Sequence, residues 1–181
     1  MNEKRNIVLI GFMGTGKSSA GKILAKRLGR SCVDIDQRIE ESQKRKISDI
    51  FEKEGEPYFR SVEKEMVRQV CEAGNLVITT GGGVVMDAEN IEMLKKNGFL
   101  VGLLATPETI SQRVKDSGRR PLLKGPDLMA DIRRLLTVRQ PFYAKADVTF
   151  HTDGKTASQV ASDIAEALEK EEEFEFGKDW F

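Results

Sequence analysis

Hydrophobic positions along the chain follow two alternating rhythms. Short apolar runs at 6–10 (NIVLI), 31–35, 76–80 (LVITT), 99–104 and 147–151 have the length and composition of strands. Between them, apolar residues recur at three- and four-residue spacing, which predicts helices over 17–28, most of 37–72, 87–97, 127–145 and from 156 to about 172. Val62, Met66, Val67 and Val70 mark the buried face of the longest. A further helix opens at Thr106-Pro107, a cap residue followed by a first-turn proline. Gly29 and Gly98 are placed to end helices, Pro57 suits a first turn, and Pro141 is expected to break or kink its helix. Strands alternating with helices imply a parallel sheet covered on both faces, a three-layer α/β/α class. Ligands of such sheets bind beyond the carboxyl ends of the strands, where the glycine-rich turns and paired acids of this chain fall.

The chain has 181 residues, enough for one domain with an inserted lobe. Lys+Arg and Asp+Glu each number 29, so the basic excess usual for a nucleic-acid binder is missing overall. No apolar run is long enough to span a bilayer, and the charged start has no secretory pattern, so a cytoplasmic protein is expected. Cys32 and Cys71 fit a reducing compartment better than a disulfide scaffold. His151 is the only histidine, which excludes multi-histidine zinc sites and leaves no positioned catalytic triad. Residues 116–126 (DSGRRPLLKGP) read as a mobile basic loop, and 171–181 as an acidic, aromatic tail without clear periodicity.

The strongest chemical signal is Gly11-Phe-Met-Gly-Thr-Gly-Lys-Ser18, which fits G-x-x-x-x-G-K-[ST] between a strand and a helix. Glycines let successive amides curl inward toward phosphate oxygens, and the helix adds its positive end. Gly11, Gly14, Thr15, Gly16, Lys17, Ser18 and Ser19 form this candidate ATP site, with Lys17 as the phosphate cation and Ser18 as a hard oxygen ligand for Mg²⁺. Asp34 and Asp36 follow the second strand. On an extended segment they point the same way, so one can serve Mg²⁺ and the other an acceptor hydroxyl, although either can instead cap the next helix. Gly81, Gly82 and Gly83 exceed what a turn needs and suggest close approach of backbone to a ligand. Arg60, Arg120 and Arg139 are the candidate cations for carboxylate or phosphate.

Taken in order, GFMGTGKS, DID, FR with Glu63 three residues on, TTGGGVV, RRPLL and RQPFY resemble the shikimate kinase family over nearly the whole chain. The resemblance implies a nucleoside-monophosphate-kinase-like fold with sheet order 2-3-1-4-5. It implies one kinase domain over 1–170, a helical substrate-binding insertion at about 36–62 and a lid at about 115–126. It implies transfer of the ATP γ-phosphate to the 3-hydroxyl of shikimate with Mg²⁺, by a monomer that uses neither nucleic acid nor membrane. By the same resemblance Lys17, Asp36 and Arg120 are catalytic, and Ser18 with Asp34, through water, holds Mg²⁺. Asp36, Arg60, Glu63, Gly81, Gly82, Gly83 and Arg139 meet shikimate, while Arg113 and Lys155 lie against adenine, the last on the weaker correspondence.

Two other readings are open to the sequence. A gluconate kinase shares the fold, but typically carries an acid-Gly-acid pattern and a Leu-His pair after the second strand, where this chain has Val33-Asp-Ile-Asp-Gln37. An ATP-dependent switch protein would need no acceptor-site residues around the phosphate loop.

Overall fold

The computed structural model describes residues 5–115 and 127–176. Its elements are β1 (Asn6–Gly11), α1 (Lys17–Arg27), β2 (Ser31–Asp34), α2 (Ile35–Gln43), α3 (Ile47–Cys71), β3 (Leu76–Thr79), a 3-10 turn (Val84–Met86), α4 (Ala88–Asn97), β4 (Gly98–Leu104), α5 (Pro107–Lys115), α6 (Leu128–Tyr143), β5 (Val148–His151) and α7 (Ala157–Phe176). Five parallel strands lie in the order β2-β3-β1-β4-β5. β1 is central, with Val8 registered to Ile78 on one side and Leu100 on the other.

Alternation along the strands divides the core into two layers. Ile7 and Leu9 of β1, Val77 of β3, and Phe99, Val101 and Leu103 of β4 pack on α1 and α7. Val8, Ile10, Ile78 and Leu100 pack on the opposite layer, which α2 to α6 build. Successive strand residues point to opposite faces, so a sheet buried on both faces needs apolar residues at both. All four residues Ile7–Ile10 are fully buried, and each such side chain stabilises the fold by about 1.5–3 kcal/mol. Among the described residues no helix is long and apolar enough to cross a membrane.

Several boundaries depart from the sequence expectation. β2 stops at Asp34, whose side chain accepts from the Gln37 amide and starts α2 at once. Asp36 therefore sits on the first turn of a helix, not two residues along a strand. Gly98 ends α4 as expected, but being extended it also opens β4, where a Cβ would meet Val8 and the Leu94 carbonyl. α6 runs through Pro141 to Tyr143, because the buried Tyr143 anchors the last turn and Ala144 still donates to the Gln140 carbonyl. α7 continues to Phe176, so the first half of the expected 171–181 tail is helical backbone. α3 holds the expected break: Gly55 has φ 79°, and Pro57 lies in the first turn after it. The expected lid residues 116–126 lie outside the described residues.

Candidate active site

The carboxyl ends of β1, β2 and β3 open onto one cavity of about 830 Å³. Its wall includes Gly14, Thr15, Gly16, Lys17, Ser18, Ser19, Asp34, Asp36, Arg60, Glu63, Gly81, Gly82, Gly83, Arg113, Arg139 and Lys155. Residues from seven separate stretches of sequence thus converge. Gly11 and Arg120 differ from the rest: Gly11 lies below the wall, and Arg120 lies outside the described residues.

The phosphate end is made chiefly of backbone. Gly14 and Gly16 have φ of 80° and 91°, values a side chain resists, and Gly16 directly precedes α1. Thr15 closes the turn, its amide and hydroxyl both donating to the Phe12 carbonyl. The first turn of α1 borders the cavity, which Lys17, Ser18 and Ser19 all line. Gly11 has φ 145°, and a Cβ there would stand 2.2 Å from the Leu103 carbonyl oxygen, so its role is to let the loop leave the sheet. Lys17 Nζ donates to the Gly11 and Phe12 carbonyls at 2.8 and 2.9 Å, which folds its ammonium over the loop. Arg113 donates to the Gly14 carbonyl and to both the hydroxyl and carbonyl of Thr152, pinning the loop to the segment after β5. Lys155 lines the same side but is ion-paired with Asp163 at 2.6 Å.

Asp34 caps the next helix, one of the two roles the sequence offered for it, and keeps its second oxygen for other donors. One oxygen caps α2; the other accepts from Ser18 at 2.6 Å and from the buried Thr79 at 2.7 Å. Thr79 falls within TTGGGVV, but the sequence assigns it no role, because a strand threonine does not disclose its partner. The Ser18 hydroxyl and the Asp34 carboxylate are adjacent hard oxygens at the mouth of the loop, a donor set that fits Mg²⁺ held through water and phosphate oxygens. Among the described residues no group of three or more His, Cys, Asp or Glu forms a metal cage of its own.

The acceptor end is made of buried charge. Arg60 Nη1 pairs with Glu63 at 2.7 Å, and its Nε and Nη2 both donate to Glu56. Glu56 is a member of this cluster that sequence reasoning missed; its position one helical turn before Arg60 was the available signal. Glu63 is only 1% exposed. Burial pushes its carboxyl above the usual range, while Arg60 and then Arg139 pull it back. Burial also opposes the Arg60 charge, but the two glutamates outweigh it and raise its pKa. Arg139 is 5% exposed and its guanidinium stands over the Phe12 ring, 5.7 Å from the centroid. Arg139 Nη1 and Glu63 Oε1 are buried polar atoms without a hydrogen-bond partner. Burial makes an unmatched N–H costly, so Nη1 is a donor prepared for an incoming oxygen.

The three glycines also meet a need that the sequence does not disclose. None has a left-handed φ. A Cβ on Gly81 would come 2.7 Å from Asp36 Oδ1, and one on Gly83 would fall 2.5–2.8 Å from the Arg60 guanidinium. They make room for the site's own acid and cation as well as exposing backbone to the cavity. His151 takes no part: it is exposed at the end of β5, with Asp153 as its acidic neighbour at 4.0 Å.

Comparison with known proteins agrees with this geometry. A sequence model of the shikimate kinase family matches residues 13–169. Shikimate kinase of Persephonella marina is 45% identical over 88% of this chain and 96% of its own, and that of Moorella thermoacetica 47% identical over 90% and 94%. The shikimate kinase of Acinetobacter baumannii, solved in complex with shikimate, superposes with a TM-score of 0.90 at 37% identity, covering 93% of this chain and 94% of that one. The sheet order, the phosphate loop and the matches over most of the chain lead to one conclusion: this chain belongs to the shikimate kinase family.

Proposed function

We propose that the chain transfers the γ-phosphoryl group of ATP to the 3-hydroxyl of shikimate, giving shikimate 3-phosphate and ADP. The observation that carries this reading is the pair of guanidiniums facing the phosphate-loop cavity, Arg139 buried and Arg60 partly so. Arg139 offers a buried N–H without a partner, and Arg60 stands against Glu63 on the same wall. Two arginines match the single carboxylate of shikimate, and Asp36 matches its hydroxyls.

Phosphoryl transfer passes through a loose transition state, so positioning and charge neutralisation dominate. The amides of residues 14–19 and the Lys17 ammonium hold the phosphates. Ser18 and Asp34 are the residues to hold Mg²⁺, which when bound supplies positive charge to the phosphate oxygens. Arg60 and Arg139 fix the acceptor through its carboxylate, leaving a hydroxyl directed at Asp36. Asp36 orients that hydroxyl and accepts its proton as the new P–O bond forms and the bond to ADP breaks. Arg120, outside the described residues, adds positive charge to the transferring group on this reading. Arg113 and Lys155 flank the adenine. The protein works as a cytoplasmic monomer on this reading, whose support is family membership.

The test is ADP release with Mg-ATP and, in turn, shikimate, gluconate or no acceptor. Release only with shikimate is expected. Release with gluconate alone would void the roles of Arg60, Asp36 and Arg139, and release independent of any acceptor would remove the kinase reading.

A further inference from the structure

Tyr143, on the last turn of α6, is 2% exposed, and its hydroxyl donates to the Gly82 carbonyl at 2.6 Å. The Arg139 guanidinium neighbours the same hydroxyl. Arg139 and Tyr143 are four residues apart, so they share one face of α6. Pro141, between them, has no N–H, which deprives the Thr137 carbonyl of its ordinary intrahelical donor. The turn that carries Arg139 is thus short of one backbone tie. The Gly81–Gly83 segment, for its part, has no side chains of its own to fix it. One phenolic oxygen reaches both.

We propose that Tyr143 is a positioning residue of the acceptor site: its hydroxyl holds the Gly82 peptide and the Arg139 guanidinium in one fixed relation, so that backbone and cation meet the acceptor carboxylate together. A buried tyrosine hydroxyl needs some partner, and any nearby carbonyl of α6 or β4 would satisfy it. Here it crosses to the Gly81–Gly83 turn, which lines the acceptor end of the cavity. The effect is exerted through other groups, since Tyr143 itself does not line that cavity. The inference rests on the reading of Arg139 as a carboxylate clamp.

Tyr143→Phe removes the hydroxyl and keeps the packed ring. It is expected to raise the KM for shikimate about tenfold, the effect of one buried hydrogen bond, with the KM for ATP and kcat within about twofold of the parent. A purely structural role would shift the thermal midpoint and both KM values together, and that outcome overturns the proposal, as does an unchanged KM for shikimate. Calorimetric titration of shikimate into Y143F, R139A and the double variant gives a second readout. Tyr143 acting through Arg139 predicts that Y143F weakens binding little further once Arg139 is gone; additive losses would contradict it. If R139A alone leaves shikimate binding intact, the clamp reading fails. If R139A weakens binding and Y143F does not, only the present proposal fails.

Discussion

The two ends of the cavity recognise charge by opposite means. The phosphate end is one contiguous stretch, and its donors are main-chain amides held by glycines at φ of 80° and 91°. The acceptor end draws Asp36, Arg60, Glu63, Gly81 to Gly83 and Arg139 from four distant segments, and its donors are guanidiniums, one buried and one partly buried. A backbone cradle needs no countercharge when it is empty, because each N–H is only a partial charge. Buried side-chain cations do need one, and Glu63 with Glu56 meets that need for Arg60. The first site is fixed by conformation and the second by pairing, so the same kind of change should damage them differently.

A methyl group is the sharpest way to expose that difference. Gly11→Ala sets a Cβ against the Leu103 backbone oxygen at a left-handed φ, and neither can yield. Loss of soluble, folded protein, or a thermal midpoint lowered by more than about 10 °C, is expected in melting curves, the equivalent of several kcal/mol. Full stability would show that the loop is not held by conformation. Lys17→Met keeps the fold and removes the phosphate cation; single-turnover assays should show kcat down about 10²-fold or more, with the KM for shikimate little changed. Arg139→Ala should act at the other end alone. Steady-state kinetics are expected to show the KM for shikimate raised about 30-fold, near 2 kcal/mol for a charge-assisted pair, and the KM for ATP unmoved.

Gly83→Ala is the counterpart of Gly11→Ala. Its Cβ meets the Arg60 guanidinium, the movable end of a long side chain, so the fold should survive while the KM for shikimate rises about tenfold. Equal damage to stability from the two alanines would erase the distinction between the ends. The smallest effect is expected away from both, at Asp153. Hydrogen bonds from Thr109 and from the Thr106 amide and hydroxyl hold its carboxyl down at about 2 against an ordinary 3.8. A depressed carboxyl stabilises the fold above its unfolded pKa and loses that contribution as the pH falls through the folded one. Denaturation of the parent and Asp153→Asn should therefore differ by about 1 kcal/mol at neutral pH and converge between pH 3.8 and about 2.

The same contrast explains what the sequence could reveal. The phosphate loop is local, so spacing alone discloses it, and the strands around it are long enough in apolar residues to give the sheet away. Its order, with β1 between β3 and β4, entered through resemblance, since periodicity carries no information on which strands are neighbours. At the acceptor end, the residue types suggested carboxylate binding, but not how they are held. Glu56 holding two donors of Arg60 and Thr79 behind Asp34 both depend on side-chain packing that no short motif encodes. Asp36 was placed by strand alternation, whereas Asp34 capping α2 moved it onto a helix. The glycines were read as room for a ligand; the atoms nearest their missing Cβ groups belong chiefly to Asp36, Glu63 and Arg60.

The central claim is that the paired arginines at one end of the cavity select the acceptor by its carboxylate. The most direct measurement is kcat/KM for shikimate and for its methyl ester, which keeps every hydroxyl and loses the charge, in the parent protein and in R139A. The account predicts a preference for the acid of about 10²-fold or more in the parent, shrinking to about tenfold or less in R139A. Equal turnover of acid and ester by the parent protein would contradict it.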